Sequence, residues 1–140
     1  MKVLLLDIET APHRVYSWGL FKQNIAVNQI EEAGYTLCWA AKWLDKPKVF
    51  FSSLYHDNRE EMLFDIHALL EEADVVIHYN GSQFDIPTLN QEFLMVGLQP
   101  PSPFQQIDLL KTVRKRFNLP SNSLNYLCRY LNVGQKTTHK

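Results

Sequence analysis

Two carboxylates one residue apart, Asp7 and Glu9, close an apolar run that reads Lys2-Val3-Leu4-Leu5-Leu6-Asp7-Ile8-Glu9-Thr10. A third carboxylate, Asp85, follows the turn-forming stretch Asn80-Gly81-Ser82-Gln83-Phe84. Side chains alternate along a strand, so Asp7 and Glu9 share a face, roughly 6–7 Å apart along the backbone. Like charges held that close are costly unless a cation or hydrogen-bond donor compensates them. No Lys or Arg is local in sequence to any of the three. The chemistry open to such a set is the binding of a hard divalent cation, and all-oxygen ligation favours Mg²⁺ or Mn²⁺ over zinc. A plainer reading ends the strand at Leu6 and leaves both acids solvated. A rival reading makes Asp85 only the N-cap of the helix that follows it.

Three acids meet only if the elements beneath them bring them together. The density of the first apolar run predicts a strand buried on both faces, in the middle of a covered sheet. Further strands are expected at 35–44, with Leu37, Trp39, Ala41 and Trp43 on one face, and at 48–52, 74–79 and 104–108. A helix capped by Asp57 or Asn58 runs to about Glu72, burying Met62, Leu63, Ile66, Leu69 and Leu70. A second, from about Asp85 to Val96, buries Ile86, Leu89, Phe93 and Val96 and closes at Gly97. A basic helix with the stripe Leu110, Val113 and Phe117 follows, then a helix capped by Ser121 or Ser123 with Leu124, Leu127, Cys128 and Leu131 inside. Residues 13–34 show no period and read as a long ordered excursion over one end of the sheet, with room for a short helix.

This order of elements predicts one α/β domain over residues 1–140 built on a mixed five-stranded sheet flanked by helices. Helical crossovers suit parallel pairing of the strands at 74–79 and 104–108 with their neighbours. If the first strand and the strand at 74–79 are parallel neighbours, Asp7, Glu9 and Asp85 converge at the carboxyl ends of adjacent strands, where open α/β sheets bind ligands.

The composition, 46% hydrophobic and 21% charged, excludes wholesale disorder. No apolar stretch approaches the length of a membrane span, and the chain enters its first strand directly, so neither a signal peptide nor a transmembrane helix is expected. Cys38 and Cys128 read as buried free thiols, which suits a cytoplasmic location. The net charge of −1 conceals a segregation: all 15 acids lie in residues 1–108, while Lys111, Arg114, Lys115, Arg116, Arg129, Lys136 and Lys140 follow with none. Such a field suits an anionic partner at the C-terminal third, although a basic helix face is often merely solvated.

Asp7-Ile8-Glu9-Thr10, taken with Asn80-Gly81-x-x-Phe84-Asp85-x-Pro87-x-Leu89, resembles the first two motifs of DEDD-type 3′–5′ exonucleases of the ribonuclease H-like superfamily, above all the proofreading domain of family B DNA polymerases. The likeness continues through Ile107-Asp108-Leu109 and Ser123-Leu124-x-x-Leu127 to the neighbourhood of Lys136, nearly the whole chain. It implies that Asp7, Glu9 and Asp85 are metal ligands and catalytic residues, with two Mg²⁺ or Mn²⁺ ions in a complete site. It implies that Thr10, Ala11, Asn80 and Phe84 meet the terminal nucleotides, and the charge pattern adds Lys111, Arg114 and Lys115 as phosphate contacts. Phe84 could equally be a core residue, and His78 reads as structural. The substrate expected is single-stranded DNA rather than RNA, cut at its 3′ end. The chain departs from the family in one respect: no Asp or Glu follows Asp108, so the fourth carboxylate, with its Tyr or His, is missing. Asp108 reads as a cap or turn acid, and His139 is followed by a single residue. A fold cut short before its final helix is therefore expected, and a nucleic-acid-binding module without catalysis is the alternative function.

Overall fold

The computed structural model describes residues 1–20, 24–32, 34–82 and 85–134. The first apolar run forms β1 (Val3–Thr10) at the centre of a five-stranded sheet. Its antiparallel neighbour is β4 (Thr36–Trp43), which pairs in turn with the antiparallel edge strand β5 (Val49–Ser53). On its other side lies β6 (Val75–His78), parallel to it, and beyond that the parallel edge strand β7 (Gln105–Asp108). Between β1 and β4 the chain makes a separate two-stranded pair, β2 (Arg14–Val15) with β3 (Ile30–Glu32), joined through a 3₁₀ turn at Val27–Gln29. Among the described residues the helices are α1 (Arg59–Glu72), α2 (Asp85–Met95), α3 (Leu109–Arg116) and α4 (Leu124–Leu131).

One face of the sheet carries the core. Leu4, Leu6 and Ile8 of β1, Trp39, Ala41 and Trp43 of β4 and Val76 of β6 pack against Met62, Leu63, Ile66 and Leu70 of α1 and against Ile86, Leu89 and Phe93 of α2. Side chains of this size contribute about 1.5–3 kcal/mol each when fully buried. Asn58 caps α1, its Oδ1 accepting from the Glu61 N–H at 2.8 Å, with Glu60 and Glu61 in the favourable first turn. Gly97 follows α2 with φ of 84°, the left-handed conformation expected of a residue that stops a helix.

The other face is thinly covered, which corrects the expectation that β1 is buried on both sides. Burial alternates along β1, and Leu5 is only half-buried. An apolar cleft of about 300 Å³ remains there, lined by Leu5, Ala40, Val49, Ile77, Leu109 and Leu124. Incomplete cover also explains α4. Leu124, Leu127 and Cys128 are half-buried rather than inside, Leu131 is exposed, and no residue of the helix is fully buried. Phe117 does not extend the stripe of α3 either: the helix ends at Arg116, and Phe117 is its exposed C-cap. Cys38 and Cys128 are both half-buried.

Candidate active site

β1 outruns β6. Their pairing covers Val3 to Leu5, and beyond it the strand continues alone on that side to Asp7, Glu9 and Thr10. The Ile8 N–H in this overhang hydrogen-bonds to the carboxylate of Asp85, the first residue of α2. Asp85 thus reaches across to β1, which is more than the capping role its sequence position allows. The three acids are brought together at one end of the sheet: Asp7 is exposed, while Glu9 and Asp85 are half-buried. Burial first, then the charges of Asp7 and Glu9, raise the Asp85 carboxyl from 3.8 to about 7 against the opposing Ile8 hydrogen bond.

The strand ladder is irregular at the same place. Glu9 pairs with Cys38 and Thr10 with Thr36, so Leu37 is the extra residue of a bulge. Bulges bend a strand and re-aim its side chains. This one explains why Leu37, expected beside Trp39 on the core face, is 40% exposed.

The turn that delivers Asp85 is held by an acid from the neighbouring strand. Asp108, at the end of β7, accepts from the Asn80 N–H at 2.7 Å and the Ser82 hydroxyl at 2.8 Å, and caps α3 by accepting from the Leu110 N–H at 3.1 Å. These donors outweigh the desolvation of Asp108 and keep its carboxyl below the usual range. Asn80 adopts the left-handed conformation, φ 65°, which asparagine tolerates. Gly81 is needed for space instead: a Cβ there would lie 2.6 Å from the His78 ring. The Gly81 N–H donates to His78 Nδ1 at 3.0 Å, which puts the ring proton on Nε2, where it meets Gln106 Oε1 at 2.8 Å. His78 is buried and structural, as its sequence context suggested.

A second clamp, not foreseen from the sequence, fixes the far end of α2. Glu92 is fully buried and accepts from the Thr36 N–H at 3.1 Å, from the Thr36 hydroxyl and from the Arg59 guanidinium at 2.8 Å. Arg59 lies over the Tyr35 ring. The available signal was an acid between Leu89 and Phe93 on the apolar side of the helix. Thr36 pairs with Thr10, so this clamp ties α2 to the strand end that carries the carboxylates.

Of the residues expected to meet substrate, Thr10 ends β1 in an exposed position, and Ala11 donates its N–H to the Tyr35 carbonyl at 2.7 Å. Lys111, Arg114 and Lys115 project from α3 into solvent while Leu110 and Val113 anchor it. Phe84 and His139 lie outside the described residues.

Fold and geometry agree with what the sequence profile of a known family adds: the family described as the RNase H superfamily matches residues 4–139. The chain belongs to the RNase H superfamily. Membership supports a nuclease-type function. Among solved structures, the family B DNA polymerase from the hyperthermophilic archaeon Pyrobaculum calidifontis is similar in fold. The similarity has a TM-score of 0.65 at 19% identity and covers 96% of this chain. The chain spans only 18% of that polymerase. No curated protein matches.

The donor set fits a hard divalent cation in kind, being three carboxylates that repel one another across one strand end. Among the described residues, no three His, Cys, Asp or Glu side chains stand close enough to hold an ion as they are. Ligation therefore requires the three carboxylates to draw in together. The raised Asp85 carboxyl has a measurable consequence for metal-free protein. Its folded value exceeds the unfolded 3.8, so its contribution to stability is complete below that pH and is lost as pH rises through about 7. Asp85 is partly open to solvent, which screens the charges around it, so the loss is smaller than the full shift implies. Metal-free thermal midpoints of wild type and Asp85→Asn should separate progressively between about pH 4 and pH 7, the variant becoming the more stable, and run parallel above that; a separation that does not change across this window would contradict the coupling.

Proposed function

We propose that the chain is a metal-dependent nuclease that removes nucleotides from the 3′ end of single-stranded DNA. The observation that carries this reading is the placement of Asp7, Glu9 and Asp85 at the overhang of β1, where burial and then the charges of Asp7 and Glu9 raise the Asp85 carboxyl. Asp7, Glu9 and Asp85 would hold Mg²⁺ or Mn²⁺. Such ions, when bound in pairs, activate a water and neutralise charge at a phosphodiester. The chain's own residues supply the frame. Asp108 and His78 fix the turn that aims Asp85, and Glu92 ties α2 to Thr36 of β4 and to Arg59 of α1. Thr10, Ala11, Asn80 and Phe84 are proposed to receive the terminal nucleotides. Incubating a 5′-labelled single-stranded oligonucleotide with the protein and Mn²⁺ should yield a descending ladder that EDTA prevents. Intact oligonucleotide after long incubation would refute the enzymatic reading.

A second reading, binding of nucleic acid without cleavage, is favoured by one observation. Asp108, a further acid at this end of the sheet, is already engaged by Asn80, Ser82 and Leu110. Both readings use the exposed cations of α3, which begins at the same end of the sheet. Each single-strand phosphate neutralised adds roughly 0.7 to the slope of log affinity against log salt. Replacing Arg114 and Lys115 by Ala is expected to weaken oligonucleotide binding and flatten that slope by about 1.4. A slope unchanged by the double substitution would make α3 an ordinary solvated face.

A further inference from the structure

Between β1 and β4 the chain folds out as a flap in which β2 pairs with β3, Arg14 standing opposite Glu32 in the ladder. This flap is rooted beside the carboxylates. The Ala11 N–H donates to the Tyr35 carbonyl at 2.7 Å and the Gly34 N–H to His13 Nδ1 at 2.7 Å, extending the β1–β4 ladder past Glu9 and Thr10. Gln29 ties its two limbs: the Tyr16 N–H donates to the Gln29 carbonyl at 2.7 Å, Gln29 Nε2 returns a bond to the Tyr16 carbonyl at 3.0 Å, and Oε1 accepts from the Ala26 N–H at 2.8 Å. Just beyond β2, the Ser17 hydroxyl donates to the Gly19 carbonyl at 2.7 Å and accepts from the Gly19 N–H at 3.3 Å, bracketing Trp18. On this braced backbone Trp18 is 99% exposed and Tyr16 66%. Tyr16, Ser17, Trp18, Asn28 and Gln29 line a cleft of about 620 Å³.

We infer that this flap is a base-stacking platform for the single strand whose 3′ end lies at Asp7, Glu9 and Asp85, an inference that rests on the proposed nuclease reading. Two properties point to that occupant. Indole and phenol rings offer flat faces to any base, so stacking tolerates sequence, as an enzyme moving along a strand requires. The platform is also continuous with the strand end that carries the carboxylates: Trp18 follows Glu9 by nine residues, a reach of at most about 30 Å. Within that reach the platform would meet bases upstream of the terminal nucleotide.

The other two tryptophans, Trp39 and Trp43, are buried at 3% and 9% exposure, so a ligand-induced change in emission reports on Trp18. The test titrates a twelve-residue oligothymidylate into the full chain in EDTA, following tryptophan emission and the anisotropy of labelled oligonucleotide. Saturable quenching is expected, absent in Trp18→Ala. That variant should bind the oligonucleotide about 5- to 100-fold more weakly, as loss of one stacked base implies, while Trp18→Phe keeps most of the affinity. Unquenched emission on binding, or equal affinity of the alanine variant, overturns the platform. So does emission that changes with protein concentration alone, together with a doubled mass by light scattering, which would assign the flap to a second copy of the chain. Quenching by oligonucleotide without any digestion in Mn²⁺ would leave the platform standing and remove the nuclease reading beneath it. Digestion with an unresponsive Trp18 would do the reverse.

Discussion

Asp108→Ala is expected to destabilise the fold by about 3–4 kcal/mol, because it orphans the Asn80 and Leu110 N–H groups and the Ser82 hydroxyl and removes the cap of α3. In a domain of this size that corresponds to a midpoint lower by roughly 10 °C. The loss should reach function as well, since the same carboxylate holds the turn that aims Asp85. Asp108→Asn, which keeps one acceptor oxygen but not the charge, should fall between wild type and alanine in both respects. Calorimetric melting of the three proteins decides the matter. An alanine variant that melts with wild type would mean that the turn stands without Asp108.

Asp85→Ala should show the opposite pairing of effects. Without metal it removes a carboxyl that its surroundings hold at about 7, so the protein should be at least as stable as wild type near neutral pH. Metal-dependent digestion should nonetheless collapse. A bound ion supplies several kcal/mol of charge stabilisation at phosphorus, and at 1.36 kcal/mol per decade its loss lowers the rate by about a thousandfold. Rates of 3′-end digestion at saturating Mn²⁺ measure the effect. A folded Asp85→Ala protein within tenfold of wild type would take Asp85 out of the chemistry.

The parts of this molecule that were legible in its sequence are those fixed by pattern alone. Apolar runs, alternation and helical spacing placed β1, β4, β5, β6 and β7 and the four helices, and the density of the first run put β1 at the centre beside β6, although one of its faces is thinly covered. The convergence of Asp7, Glu9 and Asp85 then followed from strand direction. What escaped depends on tertiary detail. The bulge that turns Leu37 outward has no local signature in Thr36-Leu37-Cys38. α4 has a strong apolar stripe, yet a stripe does not say whether anything packs over it, and here Leu131 stays exposed. Glu92 reads as a surface acid until Thr36 and Arg59 arrive from distant positions in the chain. The segment 13–34 has no period because Tyr16, Trp18, Leu20 and Val27 face outward.

The central claim is that three carboxylates at one strand end form a single site for a hard cation. Calorimetric titration of Mn²⁺ into wild type, Asp7→Asn, Asp85→Asn and the Arg114→Ala/Lys115→Ala variant, in buffer free of nucleic acid, tests it most directly. The account predicts saturable binding to wild type and to the α3 variant with equal affinity, and affinity at least about tenfold weaker in each carboxylate variant, the loss expected when one oxygen ligand of a divalent site is removed. No heat of binding to wild type, or equal binding by all four proteins, would contradict it.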